Sequence, residues 1–116
     1  MMTLFLKLLM AHALTDFPLQ SDSMAKGKNR YNKPNSVPTG QKLTPCWIYW
    51  LSAHALINGA GVYVVTQRAD LSVIEVCCHW IIDFMKCENV TNPHVDQALH
   101  IATKILYVVV IQVGVR

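Results

Sequence analysis

Four histidines each stand four residues from a polar partner: His12 with Asp16, His54 with Asn58, His79 with Asp83, and Asp96 with His100. Residues four apart share one face of a helix, and each pair lies inside an apolar stretch. Imidazole and carboxylate are costly in such surroundings unless they pair, bind a metal or do chemistry. Imidazole with carboxylate suits zinc, iron or manganese, and helical bundles build such sites from facing helices. A zinc centre with an open position makes a hydroxide nucleophile near neutral pH, with a spare carboxylate as base. The expected ligands are His12, Asp16, His54, His79, Asp83, Asp96 and His100, for a divalent metal, zinc first. Asp83 and Asp96 are also the candidate catalytic carboxylates, with Lys86 placed to bind an anion or a leaving group. For any single pair a hydrogen-bonded core is the better explanation. Four coincident pairs favour metal or catalysis, and a proton relay is a further use of ionisable chains in an apolar interior. His94 follows Pro93 at a helix start and is expected to be exposed.

The elements that must position these residues can be read from composition and punctuation. The chain has 116 residues, 53% of them hydrophobic and 15% charged. That allows one domain, residues 1–116, with three or four helices around one core. Soluble domains carry roughly 25% charged residues, and the mean hydropathy here is +0.29, so the balance favours a membrane protein. The four cysteines, Cys46, Cys77, Cys78 and Cys87, show no CxxC pair, which excludes a zinc ribbon and argues against a disulfide framework. They read as small buried hydrophobes.

Met1 to about Gln20 is apolar apart from Lys7, His12 and Asp16, and reads as a helix over about 2–20 ending near Pro18. It lacks a basic leader, so it is expected to be retained rather than cleaved as a signal peptide. Residues 21–45 form a long loop carrying Lys26, Lys28, Arg30, Lys33 and Lys42, with a short helical turn expected around Met24 to Lys28. Its charge places it on the cytoplasmic side of a membrane protein. It reads as a solvated, topology-setting loop, with lipid head groups or phosphate at Lys26, Lys28, Arg30 and Lys33 as the functional alternative; nucleic acid is not expected. Residues 46–66 begin with Trp47, Tyr49 and Trp50 and carry no Lys, Arg, Asp or Glu up to Val65, as a membrane span with an aromatic belt does. A third helix is expected over 71–86, and a fourth over 93–115 with Asn92 as its N-cap and Pro93 in its first turn. The fold class is therefore all-α: an antiparallel four-helix bundle, transmembrane, with one long basic loop between helices 1 and 2.

In that bundle all four pairs fall within roughly 5–18 Å of the end facing the basic loop, at 1.5 Å rise per residue. Asp16, His54, Asp83 and Asp96 lie nearest that end. His12, Asn58, His79 and His100 lie about 6 Å deeper, one four-residue step. A third layer sets Glu75 opposite Lys104 as a buried ion pair.

The series Ala11-His12-x3-Asp16-Phe17-x-Leu19-Gln20-x-Asp22-x-Met24-Ala25-Lys26, followed by His54-Ala55-Leu56, His79-x2-Ile82-Asp83-x2-Lys86 and Asp96-Gln97-x2-His100, resembles a domain-of-unknown-function family of small phage and bacterial membrane proteins. The resemblance spans nearly the whole chain, with Asn58 standing where the family pattern often has a second histidine. It implies an integral protein of the bacterial inner membrane and no established activity. The residue types are also similar to those of membrane-embedded, metal-dependent hydrolases acting on lipids. The first functional expectation is thus a metal-dependent hydrolase of a lipid-like or phosphorylated substrate, with homo-oligomers allowed. Its alternative is a non-enzymatic membrane module serving superinfection exclusion, host takeover or lysis modulation through a structural or proton-responsive polar core. A soluble helical oligomer is a third, weaker reading.

Overall fold

The computed structural model describes residues 1–32, 39–40 and 46–114. Among these the chain is all-helical, with α1 at Met2–Asp16, α2 at Asp22–Gly27, α3 at Trp47–Thr66, α4 at Ala69–Cys87 and α5 at Pro93–Gly114. The expected residues Lys33 and Lys42 lie outside the described residues.

The first helix stops four residues short of the expected Gln20. Pro18 has no N–H to continue the helical ladder, Leu19 N–H reaches Leu14 O instead at 3.1 Å, and Phe17 caps the helix at φ −113° and ψ −78°. The turn around Met24 is a helix in its own right: Ser21 caps it, its Oγ accepting from Met24 N–H at 3.1 Å. Helix α3 ends on Gln67 in the left-handed region at φ 54°, and α4 follows almost at once. Asn92 caps α5 through Val95 N–H at 2.9 Å, with Pro93 as the first helical residue, as the sequence indicates.

Helix α3 packs against α1, α2 and α4, while α5 packs against α4 and α1. Two close approaches set this arrangement. A Cβ at Gly59 would overlap the Val76 side chain and come within 3.0 Å of the Ser72 carbonyl oxygen, and Ser72 Oγ donates to Gly59 O at 2.8 Å. On α2, a Cβ at Gly27 would run into the Trp50 indole. Small residues let the backbones meet.

The interior has two halves. Leu8, Val62, Leu71, Tyr107 and Val108 form an apolar cluster, with Leu4, Phe5, Val65 and Ile111 packed on it. The other half is rich in polar groups: His12, Asp16, His54, Glu75, His79, Asp83, Asp96, His100 and Lys104 are all buried, with Leu51, Ala55 and Ile82 also in the interior. Many large apolar side chains face outward instead, among them Leu6, Met10, Leu14, Leu56, Val64, Ile81, Leu106, Val109 and Val113. Helices α3 and α5 are long and apolar enough to cross a membrane.

Candidate metal centre

The four-residue spacing puts Glu75, His79 and Asp83 on one face of α4, and Asp96, His100 and Lys104 on one face of α5. These faces meet as three rungs, residue numbers rising on α4 as they fall on α5. Lys104 Nζ donates to Glu75 Oε1 at 2.6 Å. The His79 and His100 rings stack with centroids 4.1 Å apart. Lys86 Nζ lies 3.2 Å from Asp96 Oδ2 and 3.9 Å from Asp83 Oδ1, joining the third rung. The expected Glu75–Lys104 pair is present.

Helices α1 and α3 close the cluster. His54 Nε2 lies 3.0 Å from Asp16 Oδ1, 3.3 Å from Asp83 Oδ2 and 3.1 Å from His79 Nε2. His79 Nε2 is also 3.4 Å from Asp16 Oδ1, and His100 Nε2 is 3.2 Å from Asp83 Oδ1. Asp16, His79, Asp83 and His100 each offer a ligand atom, all within 4.8 Å of one another, and all four residues are buried. His54 borders this group. His12 is set back from it, its ring 5.2 Å from that of His100 and its Nε2 3.2 Å from Gln97 Oε1. Asp96 also stands to one side, with Oδ2 taken by Lys86 and Gln97 and Oδ1 without a hydrogen-bond partner among the described residues.

The donor set fits a cation on chemical grounds. His79 Nδ1 faces Glu75 Oε1 at 3.4 Å, an acceptor for a ring proton on Nδ1 when Nε2 serves a cation. Its Nε2 lone pair then points among two carboxylates and a second imidazole. The outer carboxylate is itself held in place, since Tyr107 O–H donates to Glu75 Oε2 at 2.8 Å alongside the Lys104 ammonium. Carboxylates of this kind fix the tautomer and direction of a ligating histidine.

Three partners escaped the expectations. Lys28, assigned from sequence to a solvated loop, is buried to 4% exposure and sets its ammonium on Asp83 Oδ2. Nothing in its local sequence distinguishes it from exposed Lys26, because the burial comes from α2 docking on α3. Gln97 donates to Asp16 Oδ2 at 2.8 Å, linking α5 to α1; its place beside Asp96 was the available signal. Thr15 Oγ1 lies 2.7 Å from Asn58 Oδ1, and Asn58 Nδ2 turns to its own helix at His54 O. Asn58 therefore takes no part in the histidine layer. His94 is exposed, as expected.

Beyond the cluster Arg30 pairs with Glu88, which also accepts from Tyr31 O–H at 2.8 Å. The hydrogen bond from Arg30 holds the Glu88 carboxyl below its ordinary range.

The model of one protein family, described as a protein of unknown function (DUF3307), matches residues 4–115. No curated protein and no solved structure matches the chain.

Proposed function

The chain belongs to the DUF3307 family, and from that premise we propose that it is a membrane protein, an antiparallel four-helix bundle of the bacterial inner membrane whose buried His/Asp cluster binds a divalent metal and supports hydrolysis. One observation carries the metal reading: Asp16, His79, Asp83 and His100, from three helices, bring ligand atoms within 4.8 Å of one another in full burial. Paired imidazoles and carboxylates suit zinc first, then iron or manganese. The membrane reading is supported by an interior rich in ionisable groups under an exterior rich in Leu, Ile, Val and Met. An inside-out distribution of this kind suits lipid as the surrounding solvent. The charge of the segment that joins α1 to α3 supports a cytoplasmic place for it, with exposed Lys26 available to lipid head groups.

A metal in this site would supply Lewis-acid activation of water. Asp16, Asp83, His79 and His100 are its proposed ligands, with His54 completing the shell as exchange allows. Asp96, whose Oδ1 makes no hydrogen bond among the described residues and lies 3.6 Å from His100 Nε2, is the proposed base for the attacking water. Lys86, its side chain 27% exposed, is the proposed contact for the anion or leaving group of a lipid-like or phosphorylated substrate.

Metal analysis of detergent-purified protein prepared without chelators tests this. About one divalent ion per chain is expected, lost in His79→Ala and His100→Ala and kept in His94→Ala. A metal-free wild type would leave the other reading, a non-enzymatic module whose polar core is structural or proton-responsive. That reading draws on the extent to which Lys28, Gln97 and Lys104 already satisfy the carboxylates. Under it, Asp83→Asn loses assembly and no turnover is found.

A further inference from the structure

Charge balance within the cluster identifies the ligand class of the metal-loaded site, an argument that rests on the metal reading above. Four carboxylates converge there: Asp16, Glu75, Asp83 and Asp96, each 4% exposed or less. Three ammonium groups answer them: Lys28 on Asp83, Lys104 on Glu75, and Lys86 between Asp83 and Asp96. Histidines that ligate a metal do so in the neutral form. With His12, His54, His79 and His100 all neutral, four negative charges against three positive leave one negative charge, and a divalent ion turns that into one positive charge. An uncompensated charge in a buried site is unfavourable. A ligand carrying one negative charge restores neutrality; a neutral ester does not.

The geometry also shows where such a ligand meets the protein. Side-chain exposure is 5% for Lys28 and 2% for Lys104, against 27% for Lys86. Lys86 and half-buried Gln97 both bind Asp96 Oδ2, at 3.2 Å each. Together they form a polar rim beside His100 and Asp83. An ammonium has three N–H donors, and Lys86 makes a hydrogen bond to Asp96 with Asp83 at a longer 3.9 Å, so at least one donor remains for an incoming oxygen. Hydroxide satisfies the same charge count but makes no use of that rim.

We propose that the metal-loaded site takes a phosphoryl group bearing one net negative charge, with Lys86 as the residue that selects it over neutral carboxylic esters. The group could come from soluble phosphate compounds or from a phosphate-bearing lipid head group. The test is a cobalt(II) titration of protein in an uncharged maltoside detergent, followed by absorption, with three additions compared: none, dimethyl phosphate, and didodecyl phosphate mixed into the micelle, each diester carrying a single negative charge at neutral pH. Metal affinity should rise with the anion, within the roughly 5- to 150-fold range usual for coupled ligands. A gain with both additions indicates the phosphoryl group alone; a gain with didodecyl phosphate only indicates the lipid source. Lys86→Met should bind cobalt(II) without the anion-dependent gain, and Lys86→Arg should keep it. A wild type that takes no metal sinks both the metal reading and this inference. A wild type that takes metal with neither anion changing its affinity, or a Lys86→Met that keeps the full gain, overturns this inference alone.

Discussion

Glu75 shows how a residue that never touches a ligand can govern the centre. Its Oε1 faces His79 Nδ1, and Lys104 and Tyr107 fix its two oxygens. Removing the negative charge while keeping the shape should weaken control of the His79 tautomer. Glu75→Gln is therefore expected to lower metal affinity about 10- to 100-fold, the usual effect of losing such an outer partner, read by competition with a chromogenic chelator. Tyr107→Phe, which leaves Lys104 in place, should cost less. Most of this was legible in the sequence: the four-residue spacing of Glu75, His79 and Asp83 against that of Asp96, His100 and Lys104 already sets the rungs. Lys28 was not legible, since its neighbours Lys26 and Arg30 look alike in sequence and only the docking of α2 buries one of them.

The helices were legible where residues act on their own backbone. Asn92 with Pro93 began α5, and Pro18 ended α1, with Phe17 as its C-cap. What local signals did not reveal is how tightly α3 meets α4. Gly59 lets the two backbones meet at Ser72 and Val76, and that contact holds His54 against His79. Gly59→Val overpacks it and should destabilise the fold by about 1–3 kcal/mol, measured by thermal unfolding in detergent. Metal affinity should fall with it, because the His54–His79 distance of 3.1 Å depends on that approach. The short α2 depends likewise on Gly27 fitting against Trp50.

Among the described residues much of the large apolar surface faces out and much of the ionisable chemistry faces in. Leu6, Met10, Leu56, Ile81, Leu106 and Val113 face out, while Asp16, Glu75, Asp83 and Asp96 are buried together with Lys28 and Lys104. In lipid the outward apolar surface carries no cost, whereas in water it would drive association. The chain should fractionate with membranes, resist high-salt and alkaline extraction, and come free with detergent. Clean extraction in buffer alone would support a soluble helical oligomer instead.

By itself the sequence determined which helix faces carry the buried His and Asp residues, because helical periodicity converts spacing into shared faces without reference to the rest of the chain. It also determined the helical class, through apolar runs ended by proline and by capping residues. Only the tertiary structure decided which polar groups meet. It brought Asp16, His79, Asp83 and His100 together and set His12 aside on Gln97. It turned Asn58 towards Thr15 and carried Lys28 onto Asp83. Those outcomes depend on helix rotation and on the approach of separate segments, and both are set by packing between residues far apart in the chain.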